Sequence, residues 1–271
     1  MVVIAMTREM GTLGKDVAQG IADQLDLQVI HHEIVEHDLA ERLHLQESAV
    51  HRYLEGEASI IERWKVNKKK LSRYTALEIL EFAQQGNVVI RGWGATALLR
   101  DVPNVLRVRV CAPMAFRERV MMERLGLKDA SVARREIERN DAAHGRIIQG
   151  FFGLDWKDPL LYHVVLNTGA TPVETCVRTL RLLTDDPAFG ETAAARSLLD
   201  DKLLEWRVRA HLADQFVDSG IEATAANGMV FLAGTCIQPR WKVDIENSVR
   251  GIPGVKDVQS NIIIVPAYSG I

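Results

Sequence analysis

The sequence predicts an α/β protein: a parallel sheet with helices on both faces, followed by a small α+β unit of order αββαβ. Three observations predict it. Short apolar runs alternate with helix-period segments up to about residue 184. The composition then shifts over 184–201 (TDDPAFGETAAARSLLDD), where Pro, Gly, small residues and acids mark a boundary. Beyond it, a helical stretch precedes two strand-like runs joined by Asn227-Gly228.

The elements follow in order. Residues 2–6 are all apolar and rich in β-branched side chains, as a strand buried on both faces requires. Residues 14–25 place Val17, Ile21, Ala22 and Leu25 at helical spacing, and 33–43 repeat that pattern with Ile34, Val35 and Leu39. Residues 48–70 are polar, end in three lysines and read as a lid-like excursion. Residues 71–85 are helical, and the Gly86-Asn87 turn leads into a strand at 88–90. The run VLRVRVC at 105–111 is another strand, and Pro113 opens a helix to about 125. A strand at 164–167 and a helix at 173–183 complete the first unit. Strands separated by helices imply right-handed crossovers and a parallel sheet. In the second unit, 202–216 and 242–249 read as helices, and 223–226, 229–233 and 261–265 as strands. The expected domains are 1–184 and 202–266, joined by a linker at 185–201.

With 271 residues, 47% hydrophobic and 25% charged, the chain can bury a substantial core. Its formal net charge of −3 gives no whole-chain basic field, so nucleic acid is not an expected partner. Cys111, Cys176 and Cys236 form neither a CxxC nor a disulfide framework, which suits a reducing compartment. The N-terminal apolar run has no preceding Lys or Arg and is too short for a signal peptide, so a cytoplasmic location is expected.

Residues 7–16, TREMGTLGKD, lie between the first strand and the first helix. That layout aims backbone N–H groups and a helix N-terminus at an anion, and a lysine adds a mobile positive charge. Gly14-Lys15 supply the GK of a Walker loop. Glu9 stands at its first glycine, and Asp16 at the hydroxyl that would hold magnesium. An ordinary turn, with Gly11 and Gly14 serving geometry and Lys15 solvated, would look the same in isolation.

An arginine-rich stretch contains Arg117, Arg119, Arg124, Arg134, Arg135, Arg139 and Arg146. Guanidinium forks suit the charge that develops in phosphoryl transfer. Glu118, Glu123, Glu136 and Glu138 interleave, so the same run also reads as a solvated helix face with weak ion pairs. Arg91 ends a strand, where open α/β sheets bind ligands. His31-His32 would point to opposite faces of a strand, which speaks against a shared metal.

The opening loop with its helix, VVIRGWGATALL at 88–99, APMAFRERVMMERLGL at 112–127, the GLDWKDP of 153–159 and Leu166-Asn167-Thr168 together resemble the cytidylate kinase-like family in order and spacing. The resemblance covers roughly residues 1–184. It implies a P-loop nucleoside monophosphate kinase fold, ATP and Mg2+ as cofactors, and transfer of phosphate to a CMP- or dCMP-like acceptor. On that basis Gly11, Thr12, Leu13, Gly14, Lys15 and Asp16 would hold the nucleotide. Lys15, Arg135 and Arg139 would act on the transferring group, with Arg146 a further lid candidate. His31, Arg91 and Asp141 would meet the acceptor, and Asp16 would hold the metal directly or through water. Glu9, Leu13, His31 and His144 depart from the family pattern, which leaves open a weak or inactive nucleotide-binding sensor. The segment NGMVFLAGT with IPGVKDV resembles a BON domain over about 200–266. Such a module implies a protein or phospholipid partner, or contact between two copies of the chain. Trp206 and Trp241 are expected as core or interface anchors.

Overall fold

The computed structural model describes residues 1–31, 40, 46, 48, 68–92, 94–216, 219–236 and 238–265. The helix expected at 33–43, the excursion at 48–70 except its last residues, and His32 and Glu33 lie outside the described residues.

Five parallel strands form the first sheet: β1 (Val3–Arg8), β2 (Gln28–Ile30), β3 (Val88–Arg91), β4 (Val105–Cys111) and β5 (Val164–Asn167), in the order β2-β3-β1-β4-β5. The register of β1 sets Val3 beside Val88 on one side and Val105 on the other. Winding runs from β1 to β2 on one side, and β4 lies on the other. The carboxyl end of β1 therefore sits at the reversal point where such sheets bind ligands.

The alternation along β1 assigns its two faces. Ile4 and Met6 pack with α1 (Gly14–Leu25) and α6 (Val173–Thr184) through Val17, Ile21, Val177 and Leu180. Val3 and Ala5 pack on the opposite side with α2 (Lys68–Gln85), through Ile79 and Leu80. Three shorter or longer helices frame the sheet's carboxyl end: α3 (Ala95–Leu98), α4 (Met114–Leu125) and α5 (Ala130–Phe152). Asp129 caps α5, its carboxylate accepting the Ser131 N–H.

The second sheet holds β6 (Ile221–Ala226), β7 (Met229–Cys236) and β8 (Asp257–Ile264), in the order β6-β7-β8, with β6–β7 antiparallel and β7–β8 parallel. With α8 (Pro239–Arg250) crossing between β7 and β8, the αββαβ expectation holds. Asn227 (φ 53°) and Gly228 (φ 80°) make the two-residue turn of positive φ that a tight hairpin demands.

The stretch expected as a linker differs from that expectation in its local structure. A 3-10 turn at Pro187–Phe189 is followed by α7 (Ala193–Gln215), which starts nine residues before the helix expected at 202. Thr192 caps it by accepting the Ala195 N–H at 3.1 Å, and the alanines and leucines that follow are strong helix formers. Leu199 and Leu203 enter the first core, and Leu204, Val208 and Leu212 the second. Among the described residues no helix is long and apolar enough to cross a membrane.

Candidate functional site

The turn after β1 takes its shape from two left-handed residues, Gly11 (φ 78°) and Leu13 (φ 54°). Gly11 has no alternative: a Cβ there would lie 2.8 Å from the Arg117 carbonyl oxygen. A Cβ on Gly14 would lie 2.8 Å from Arg8 Cβ. Leu13 bears the strain of a side chain in a conformation that glycine adopts freely. Its carbonyl accepts the N–H groups of Asp16 and Val17 at 3.0 and 3.1 Å, which starts α1. The N–H groups of Gly11, Thr12, Leu13, Gly14 and Lys15 have no acceptor among the described residues. These donors and the N-terminal end of α1 make an anion cradle. Lys15 and Asp16 project into solvent beside it, whereas Gly11, Thr12 and Gly14 are buried.

Glu9 does not take over the turn geometry of a Walker glycine. Its N–H donates to the Val110 carbonyl at 3.0 Å, continuing the β1–β4 ladder by one residue. Its buried carboxylate accepts Arg109 Nη2 at 2.6 Å and lies 3.4 Å from Arg117 Nη1. Arg117 in turn donates Nη2 to Asp141 Oδ2 at 2.7 Å and Nε to the Met10 carbonyl at 2.7 Å. Two carboxylates and two guanidinium groups thus form a buried, charge-balanced floor beneath the loop. The Thr12 hydroxyl is committed to the Glu9 carbonyl at 2.7 Å, and Thr168 donates its own to the Thr12 carbonyl. The Leu166-Asn167-Thr168 turn is thereby tied to the loop after β1.

A second polar stack continues along the rim. The Arg109 guanidinium lies 5.3 Å from the centre of the Trp156 ring, and His144 meets that ring edge-on at 4.5 Å. His144 Nε2 is 3.2 Å from the Thr7 hydroxyl. Desolvation, with the nearby Arg8 and Arg109 charges, lowers the His144 pKa to about 4, so the ring is neutral at pH 7. Tyr162, whose hydroxyl donates to the Trp156 carbonyl at 2.6 Å, is pushed up to about 12, chiefly by burial. Burial first, and the Glu9 carboxylate second, push the Cys111 thiol up, so it stays protonated.

The remaining expected residues fall into two groups. His31 follows β2 and Arg91 ends β3, both at the carboxyl edge of the sheet that carries the loop. Arg135 and Arg139 lie on α5, which turns Ala133, Ile137, Asp141 and Ile148 inward. Both arginines are exposed on its far face: Arg135 reaches Ser131 Oγ at 3.3 Å and Arg139 pairs with Glu136 at 2.9 Å. Arg146 is exposed as well. Asp141 is buried against Arg117.

Arg109 escaped the sequence reading. In VLRVRVC, Arg107 and Arg109 alternate with apolar residues on a strand paired on both sides. A charge there has to find a partner, and Glu9 across the ladder was the available one.

Asp16 is the sole acidic residue in the first turn of α1. Among the described residues no group of three or more His, Cys, Asp or Glu is arranged to hold a metal. Magnesium commonly takes one or two carboxylates and completes its shell with substrate phosphates and water, a role a lone Asp16 fits.

Comparison with known proteins gives two family matches along the chain. The model of the cytidylate kinase-like family matches residues 3–170, and that of the BON domain matches 200–266. A cytidylate kinase from Pyrobaculum aerophilum is 26% identical over 178 residues, spanning 66% of this chain and 90% of that protein. A crystal structure of an uncharacterized protein from Eubacterium ventriosum superposes with a TM-score of 0.54 at 18% identity, over 69% of this chain and 99% of that one. With the family model spanning well over half of its length, and the loop and sheet order described above, the chain belongs to the cytidylate kinase-like family.

Proposed function

We propose that the chain transfers the γ-phosphate of ATP to a nucleoside monophosphate, with CMP or dCMP as acceptor, in the cytoplasm. The anion cradle of N–H groups at Gly11–Lys15, without acceptors among the described residues and set at the reversal point of a parallel sheet, is the observation that carries this reading. Lys15 supplies the mobile charge on the phosphates. Asp16 would hold Mg2+, directly or through water, and the ion would supply positive charge against the phosphates. His31 and Arg91 face the acceptor from the strand ends. Arg135 and Arg139 reach the transferring group only if α5 or its first turns move, since both now point to solvent.

That outward orientation, with Asp16 in place of a metal-binding hydroxyl, favours a second reading: a sensor that binds nucleotide with little turnover. Its output passes through the BON module. No strand of the β6–β7–β8 sheet contains Lys or Arg, and its uncovered face presents Glu222, Phe231, Asp257 and Ile263. Anionic phospholipid surfaces recruit basic residues, so this face suits a protein, including a second copy of this chain, better than a phospholipid.

An assay coupling ADP release to NADH oxidation, run with ATP, Mg2+ and a panel of monophosphates, separates the readings. Turnover that is lost in Lys15→Ala supports the kinase. ATP binding that is lost in the same variant, without turnover on any acceptor, leaves the sensor. Absence of nucleotide binding in the unaltered chain overturns both.

A further inference from the structure

Met10 is held at both of its backbone polar groups. Arg117 Nε donates to its carbonyl at 2.7 Å, and its N–H points at Asp141 Oδ1 at 3.5 Å. The other Asp141 oxygen takes Arg117 Nη2 at 2.7 Å. The three residues close a ring: Met10 carbonyl, Arg117 guanidinium, Asp141 carboxylate, Met10 N–H. It lies one residue before Gly11, where an added Cβ would come 2.8 Å from the Arg117 carbonyl oxygen. Arg117 and Asp141 are 4% and 9% exposed, so neither meets solvent or a ligand freely.

Burying such ions gives little net stability, because desolvation offsets their attraction. What the ring supplies is geometry. It fixes the peptide that leads into the cradle, and it joins that peptide to α4 and to α5, the helix that bears Arg135 and Arg139.

We infer that Arg117 and Asp141 are a positioning pair for the phosphate cradle, acting on bound nucleotide through Met10 and Gly11 rather than by touching the acceptor. This rests on the reading of the loop as a phosphate site. In nucleotide chemistry the pair therefore governs affinity for the phosphate chain of ADP or ATP.

The test uses the full chain and isothermal titration with ADP. Arg117→Lys and the near-isosteric Asp141→Asn are each expected to weaken ADP binding about tenfold, the loss of one charged hydrogen bond. The double variant is expected to lose no more than either single, since both act through one peptide. Leu204→Ala, which packs in the second core away from the loop, serves as the control: it lowers the melting temperature and leaves ADP affinity unchanged. Amide exchange gives a second measurement, in which the Met10 N–H of the unaltered chain is protected and Asp141→Asn releases it. ADP affinity within twofold of the unaltered chain in a folded Asp141→Asn overturns the inference alone. So does a Met10 amide that exchanges at the free-peptide rate in the unaltered chain, should a variant not fold. No ADP binding by the unaltered chain, or ADP binding that survives Lys15→Ala, overturns the phosphate-site reading instead.

Discussion

Leu203 and Leu204 are consecutive in α7 and bury their side chains in two different cores. Leu203 packs among Ile79, Leu80 and Leu199 beside the five-stranded sheet, and Leu204 among Val208, Val230 and Ile245 beside the three-stranded one. Polar contacts bind α7 to α2 along the same line: Arg207 with Glu81 at 3.2 Å, Gln84 with Asp200 at 2.7 Å, and Tyr74 with Asp214. Leu203→Ala and Leu204→Ala are each expected to cost about 2–5 kcal/mol. Amide exchange tells them apart: the first loosens β1 and β3, the second β7 and β8. A chain ending at residue 192 is expected to melt well below the full chain or to precipitate. An unchanged melting temperature for that fragment would show that α7 is not needed by the first core.

Replacing Glu9 with the glycine of a Walker loop should harm the protein. It leaves the Arg109 guanidinium buried without its 2.6 Å carboxylate partner. Breaking a buried pair from one side costs about 3–5 kcal/mol. Urea denaturation of Glu9→Gly measures this, and a variant as stable as the parent refutes the assigned role of Glu9.

Leu13 sits at φ 54° and ψ 17° without being glycine. The left-handed conformation costs an L-residue roughly 1–2 kcal/mol, partly offset by the roughly 0.5–1 kcal/mol of extra unfolded-chain freedom that glycine brings. Leu13→Gly is therefore expected to stay within about 1 kcal/mol of the parent or exceed it. Leu13→Val, β-branched and least tolerant of positive φ, should fall below both. Chemical denaturation of the three proteins ranks them, and Val above Gly contradicts the strain.

The neutral ring of His144 makes stability depend on pH. Its pKa falls from 6.5 to about 4 on folding, so the unfolded chain binds the proton more tightly. The stabilisation is complete above the unfolded value, is lost as pH drops from 6.5 towards 4, and changes no further below that. The loss comes to about 3–4 kcal/mol at most, at 1.36 kcal/mol per pKa unit. His144→Gln should flatten this part of the stability–pH curve, and an unaltered slope between pH 6.5 and 4 refutes the assignment.

Much of this fold is written locally. VLRVRVC is bounded as β4 because its apolar alternation ends at Ala112-Pro113, and Pro172 opens α6 where its fixed φ suits a first turn. The start of α7 was hidden because a run of small and acidic residues has boundary-like composition; the cue was Thr192 as cap before three alanines. The loop itself was legible from strand, glycines and lysine. Its floor was not. Arg117 meets Asp141 across 24 residues and Glu9 meets Arg109 across 100, and pairing over such separations is decided by the sheet order, which periodicity does not encode. The direction of Arg135 and Arg139 was hidden for a related reason. A helix fixes which residues share a face, and its neighbours decide where that face looks.

The shared helix also bears on synthesis. Chains emerge from the ribosome amino end first, and leading domains fold as they appear. Here the five strands and most helices of the leading unit exist before Leu199 and Leu203 are made, so the first core lacks those two leucines until then. The first unit reaches its final packing only when the chain has grown past residue 203, by which time the next unit has begun. Maturation of the first unit is thus timed by the appearance of its successor, and nascent chains stalled at the apparent boundary hold an incomplete first core.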